Sequence, residues 1–116
     1  GVCRFLMTDA QGIVAAANAA TGWDLGLQEA MQVGRRIINL FRCFGFARGL
    51  RPEDERPSLR YGSTPTDGFA QGKSIMERWP QMQQEYYRLM GWDEKTGKPL
   101  PETLKELDLE EWIAGL

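Results

Sequence analysis

Few side chains in this sequence could carry chemistry, and its two cysteines come first. Cys3 and Cys43 are the only thiols, and there is no histidine. A thiolate is a soft metal ligand and a nucleophile, but two cysteines this far apart give neither a disulfide framework nor the paired spacing of a zinc site. The missing histidine removes the commonest metal ligand and the usual neutral-pH proton carrier, so self-contained hydrolase triads and zinc hydrolases lose their support. Taken alone, Cys3 reads as a small buried apolar residue, because unpaired cysteines are among the side chains most often found inside. Cys43, near the end of an apolar helix, reads as structural filler.

The acids Glu53-Asp54-Glu55 and Glu110-Glu111 could divide the roles of acid and base, but both runs stand in polar loop or chain-end contexts where solvated charge is the ordinary outcome. Met76, Met82 and Met90 read as core or interface filler rather than metal ligands. The pairs Trp23-Asp24 and Trp92-Asp93 follow glycines and read as aromatic plugs at helix ends, each with a capping aspartate.

These residues must be held by helices. From Asp9 to Ala20 the chain is alanine-rich and free of proline, with Ile13, Val14 and Ala17 toward one face; Asp9 is the expected N-cap, and Thr21-Gly22 the stop. From Leu25 to about Phe44, the residues Leu27, Ala30, Met31, Gly34, Ile37, Ile38, Phe41 and Phe44 recur at three and four. That spacing predicts a long helix burying Leu27, Met31, Gly34, Ile38 and Phe41, with Gln28, Glu29, Arg35 and Arg42 outside. Gly26 with Glu29 forms a weakened capping box, and Gly34 within the stripe suggests close approach of another backbone.

Residues 47–73, rich in proline, glycine and charge, read as a long loop that is either functional or packed on further protein. Ser74-Ile75-Met76-Glu77 reads as a capping box before a helix starting near Trp79, with Pro80 in its first turn, a stripe of Trp79, Met82, Tyr86, Leu89 and Met90, and a stop at Gly91. Asp93–Lys98 is a solvated turn. Pro101 opens a short last helix with Leu104 and Leu107 inward. No stretch alternates as a strand would, so the class is all-α: an irregular bundle of four to five helices around one long central loop.

Composition bounds the rest. With 116 residues and 42% hydrophobic content, one modest core is expected, and 1–116 reads as a single helical domain. Sixteen acids against 14 bases give a net charge of -2, with no general attraction for nucleic acid or anionic lipid. No apolar run approaches the roughly 20 residues that cross a bilayer, so no membrane association and a cytoplasmic location are expected. The chain opens without methionine in the apolar run Gly1-Val2-Cys3-Arg4-Phe5-Leu6-Met7, which reads as a cut end within a buried segment.

One further pattern concerns order along the chain. Gly1-Val2-Cys3-Arg4-Phe5, Asn18-Ala19-Ala20-Thr21-Gly22-Trp23-Asp24, Gly34-Arg35-Arg36-Ile37-Ile38-Asn39-Leu40, Asp67-Gly68 to Gly72-Lys73, and Tyr86-Tyr87-Arg88-Leu89-Met90-Gly91-Trp92-Asp93 follow one another at set spacing. In this order they resemble the C-terminal part of the aldehyde:ferredoxin oxidoreductase family, over nearly the whole chain. The resemblance implies a C-terminal fragment of a larger enzyme, one that oxidises aldehydes to carboxylates at a tungsten or molybdenum bis-pterin centre and passes electrons through a 4Fe-4S cluster to ferredoxin or another carrier. Cys3 matches the family cysteine that is the cluster's fourth ligand, and Gly1 the glycine before it; Val2 stands where leucine is usual, and the motif's aspartate falls before the first residue. A soft thiolate suits iron, and a glycine two positions earlier lets backbone approach a bulky cofactor.

The resemblance therefore implies that Gly1, Val2, Cys3 and Arg4 bind cofactor and that Cys3 is the metal ligand, while Arg4 could offer charge-assisted hydrogen bonds to cluster sulfur or pterin phosphate. It implies a cofactor-facing segment over 1–8, ahead of the helical hairpin over 9–46, the long loop over 47–73 and the C-terminal helices over 74–116 that the residue pattern gives. No catalytic residue of the family maps onto this chain, so by itself the fragment is expected to be inactive. Its partners would be the remainder of the same polypeptide and the electron carrier, and an oligomer is compatible with both. The competing readings are a stand-alone helical interaction module, in which Cys3 is merely buried, and the same scaffold running another reaction such as aromatic acyl-thioester reduction.

Overall fold

The computed structural model describes residues 9–116, and over that range it is helical as expected. The first helix, α1 (Ala10–Thr21), starts where its cap dictates: the Asp9 carboxylate accepts from the Gly12 N–H at 2.6 Å. It stops at Gly22, whose φ of 74° is the left-handed conformation that glycine adopts without Cβ strain. The turn is stapled by Asn18, whose side chain donates to the Leu25 carbonyl at 3.0 Å and accepts from the Leu25 N–H at 3.1 Å. Glu29 then reaches back to the Gly26 N–H at 2.7 Å, the half of a capping box that does not need a side chain on the cap residue. From there α2 (Leu27–Ala47) runs for 21 residues.

The chain forms two compact units, Gly1–Ile38 and Asn39–Leu116, with α2 passing from one into the other. In the second unit, a 3₁₀ turn at Pro52–Asp54 and a single helical turn, α3 (Leu59–Gly62), interrupt the expected loop, and a further 3₁₀ turn at Ile75–Glu77, capped by Ser74, precedes the next helix. The helix α4 (Trp79–Met90) has Pro80 in its first turn and Gly91, at φ 74°, as its cap. A tight turn follows: Asp93 Oδ1 accepts from the Lys95 N–H, the Thr96 N–H and the Thr96 hydroxyl, and a single antiparallel bridge joins Trp92 to Pro99. The short α5 (Pro101–Glu106) and a 3₁₀ turn at Glu110–Gly115 close the chain.

The core lies in the second unit. Cys43, Leu104, Leu107 and Leu109 are buried together, with Trp112, Ile113 and Leu116 packed against them. Leu104 and Leu107 point inward as their spacing predicts.

Helix α2 forms, but not with the predicted face inward. Phe41 is 72% exposed and Ile38, Met31 and Leu27 are exposed, whereas Asn39, Arg42 and Cys43 are buried. The physical reason is a second period on the same helix: Asn39, Arg42, Cys43 and Phe46 also fall at three and four, and their polar members find partners that make burial affordable. Gly34 does not mark a close approach, since among the described residues no atom lies within 4 Å of where its Cβ would stand. On α4, Tyr87 is the buried residue, while Tyr86, Met82 and Leu89 of the expected stripe are exposed. Trp92 is a buried plug, as expected, but Trp23 is 62% exposed.

Candidate functional site

Gly1, Val2, Cys3 and Arg4, the residues that the sequence assigns to cofactor and metal, lie outside the described residues. What the structure does assemble is a polar centre that sequence reasoning missed, around Arg42. The α2 register turns this arginine toward α4 and the Trp92–Pro99 turn, and its side chain is only 5% exposed. Its guanidinium forms two parallel hydrogen bonds with the Glu55 carboxylate, Nη1 to Oε1 and Nη2 to Oε2, the latter at 2.9 Å. Its Nε donates to the Gly97 carbonyl at 2.8 Å. The flat cation is also walled by rings, with its Cζ 4.3 Å from the centroid of Trp92, 4.9 Å from Phe46 and 5.0 Å from Tyr87. Arginine suits such a place because its planar fork can pair with a carboxylate in its plane and stack on aromatic faces above and below.

Glu55 is held from several sides. The Tyr87 hydroxyl donates to the carboxylate, and the Glu55 backbone carbonyl accepts from Trp79 Nε1 at 3.2 Å and Gln83 Nε2 at 3.3 Å. Gln83 Nε2 also donates to the Tyr87 hydroxyl at 2.9 Å. Burial opposes charge on Glu55, but the hydrogen bonds from Arg42 and Tyr87 and the arginine's charge outweigh it and hold the carboxyl below its usual range. Burial likewise works against the charge on Arg42, and Glu55 and Tyr87 more than offset it, so its pKa rises. Burial, reinforced by the Glu55 carboxylate, pushes Tyr87 up. All three therefore stay in the protonation states that suit one another near neutral pH. The arrangement is a structural clamp: nothing in it is poised to give or take a proton at neutral pH.

Beside the clamp lies an open groove of about 440 Å³, lined by Trp79, Met82, Tyr86 and Tyr87 with Glu55 and Gln83 at its polar side. A second buried polar contact is made by Trp92, whose ring stacks on the Arg42 guanidinium and whose Nε1 donates to the Asn39 side chain at 2.8 Å. The expectation that Glu53-Asp54-Glu55 is a solvated run is corrected for its last member, because Glu55 pairs with a buried cation; Glu53 and Asp54 remain exposed, paired with Arg51 at the surface.

Residues 1–109 match the family model described as aldehyde ferredoxin oxidoreductase, domains 2 and 3. The chain belongs to the aldehyde ferredoxin oxidoreductase family. Among its relatives are tungsten-containing aldehyde ferredoxin oxidoreductases from Pyrococcus abyssi, 39% identical over 98 residues, and from Pyrococcus furiosus, 35% identical over 97. A third, from Thermococcus kodakarensis, is 35% identical over 98 residues. These alignments cover 82–83% of this chain but 16% of each relative. No solved structure matches the chain significantly.

The described part of this aldehyde ferredoxin oxidoreductase segment does not fit a metal or cluster on its own. Among the described residues no three His, Cys, Asp or Glu side chains converge. The one described thiol, Cys43, is fully buried, and burial pushes its pKa up, away from the thiolate that a metal needs. Structural filler is the role its surroundings support. No described helix is long and apolar enough to cross a membrane. The sequence held a signal for the inward face of Arg42, its three-and-four spacing with Asn39, Cys43 and Phe46, but none for its partners Glu55 and Gly97.

Proposed function

We propose that this chain is part of an enzyme that oxidises aldehydes to carboxylates, and that Cys3 supplies one thiolate to a 4Fe-4S cluster in the full-length protein. The observation that carries this reading is the family match, which runs through residues 1–109 and so includes the Gly1-Val2-Cys3-Arg4 segment. In this reading Gly1 and Val2 bring backbone to the cofactor, Arg4 offers charge-assisted hydrogen bonds, and the helices form part of the wall around cofactor and substrate channel. A tungsten bis-pterin, when bound, would supply two-electron chemistry, and the cluster a one-electron exit to ferredoxin or another carrier. The relatives' tungsten-containing nature favours tungsten over molybdenum, and their aldehyde ferredoxin oxidoreductase names favour aldehyde oxidation over aromatic acyl-thioester reduction on the same scaffold.

The contrast between the two cysteines tests it. In the full-length enzyme, Cys3→Ala is expected to lose the cluster or convert it to a smaller one, read by iron counting and electron paramagnetic resonance. Cys43→Ala is expected to leave iron content unchanged and to cost stability on the order of 1 kcal/mol, the loss of a small buried side chain. Full cluster occupancy in the Cys3 variant would remove the assignment.

A further inference from the structure

The second unit carries two apolar stripes that its own core does not use. On α2, Leu40, Phe41 and Phe44 are exposed, Phe41 by 72%. On α4, Met82, Tyr86 and Leu89 are exposed, Leu89 by 70%. Each set repeats at three and four, so each is one coherent face of its helix rather than a scatter of single exposed side chains. The opposite faces are already occupied: Asn39, Arg42 and Cys43 are buried on α2 and Tyr87 on α4. Both helices therefore have an occupied inner face and, away from it, an exposed stripe that is mainly apolar, bordered by Arg48 stacked on Phe44 and by the surface pair Glu85–Arg88. An amphipathic helix ordinarily turns its polar side to water, and here an apolar side lies open as well.

We infer that the stripes Leu40–Phe41–Phe44 and Met82–Tyr86–Leu89 are docking faces for the rest of the same polypeptide, which meets them with an uncharged, apolar surface. This rests on the reading of the chain as part of a longer enzyme. The occupant follows from two observations. The six stripe residues are uncharged, and the cation beside them, Arg48, stacks on the Phe44 ring at one end, so a charged partner surface laid over the middle of either stripe would be desolvated without compensation. The relatives extend far beyond the aligned region, which is 16% of their length. Protein covalently joined to these helices meets them at an effective concentration of about millimolar, ahead of a second copy at ordinary protein concentrations.

The test uses the full-length protein, with the photoreactive amino acid benzoylphenylalanine placed at Phe41, at Leu89 and, as a solvated control in the Asp93–Lys98 turn, at Lys95. After irradiation, the probes at Phe41 and Leu89 are expected to give cross-links within one chain to residues outside these 116, at every protein concentration, and at least tenfold more than the probe at Lys95. Should the bulky probe prevent folding, Phe41→Cys and Leu89→Cys are expected to react with a maleimide at least tenfold more slowly than Lys95→Cys in the native protein. Cross-linking or labelling equal to the control overturns the inference. So do cross-links between two copies that vanish on dilution, or cross-links confined to residues 1–116. None of these measurements depends on metal, iron or activity, so the cluster assignment to Cys3 can fail while this inference stands. An intact mass showing no residues beyond these 116 would instead refute the longer-chain reading itself.

Discussion

Removing the carboxylate of Glu55 isolates the cost of opening the Arg42 clamp. In Glu55→Ala the guanidinium keeps the Gly97 carbonyl and its three rings but loses both carboxylate bonds, and the Tyr87 hydroxyl loses its acceptor. Breaking a buried ion pair from one side costs about 3–5 kcal/mol, chiefly because the remaining charge is left buried. Glu55 is 26% exposed, so water can reach the guanidinium from that side, and about 2–4 kcal/mol is the fitting range. At about 1.4 kcal/mol per tenfold, amide exchange in the part of α2 from Asn39 onward and in α4, measured in the full-length protein, should accelerate by roughly 30- to 700-fold. Glu53→Ala, two residues away and solvated, should leave those amides unchanged. The pair Arg42→Met with Glu55→Leu should lie nearer the parent than Glu55→Ala does, since removing both charges leaves no stranded cation. An acceleration of about threefold or less in Glu55→Ala would refute the reasoning and show that the pair behaves as a surface ion pair.

The same carboxyl sets an acid limit. Because its folded pKa is held below the ordinary value, it contributes stability that is fully present above about pH 4.3 and is lost as pH falls through the folded pKa. Acid titration of the parent and Glu55→Gln should show this loss in the parent and a shallower dependence in the variant. Gly97→Ala should destabilise the second unit by about 2 kcal/mol or more, measured by the same exchange, because φ is 66° and the new Cβ would meet Arg42 and stand 2.8 Å from Tyr87 Cζ. The 116-residue chain expressed alone should be marginal or self-associating, by light scattering and thermal melting, given its exposed apolar stripes. A monomer with a sharp, high-temperature transition would count against that.

Local signals were the most legible in the sequence. Asp9, Glu29, Ser74 and Pro80 each act over three residues or fewer, and the structure puts caps and helix starts where they stand. Periodicity gave helix α2 its existence but misjudged its inward face, because hydrophobic spacing reports which side can be buried and says nothing of what is available to bury it. Among the described residues Phe41 and Ile38 stay exposed, whereas Arg42 finds Glu55 at 13 positions' separation and Gly97 at 55. Pairings over such distances are set by tertiary geometry and leave no mark in a local window. The candidate cofactor site divides differently: family resemblance alone made Cys3 conspicuous, and residue chemistry alone would have left both cysteines as filler.

The distribution of indoles has a spectroscopic consequence. Trp23 is the one tryptophan of the first unit and is largely open to solvent, while Trp79, Trp92 and Trp112 belong to the second, with Trp92 enclosed and its N–H bound to Asn39. Each unit therefore carries its own native fluorophore signal, one red-shifted and readily quenched by acrylamide, the other including a shielded, blue-shifted component beside the Arg42 guanidinium. Loss of the shielded component with the quenchable one intact would register disassembly of the second unit by light alone.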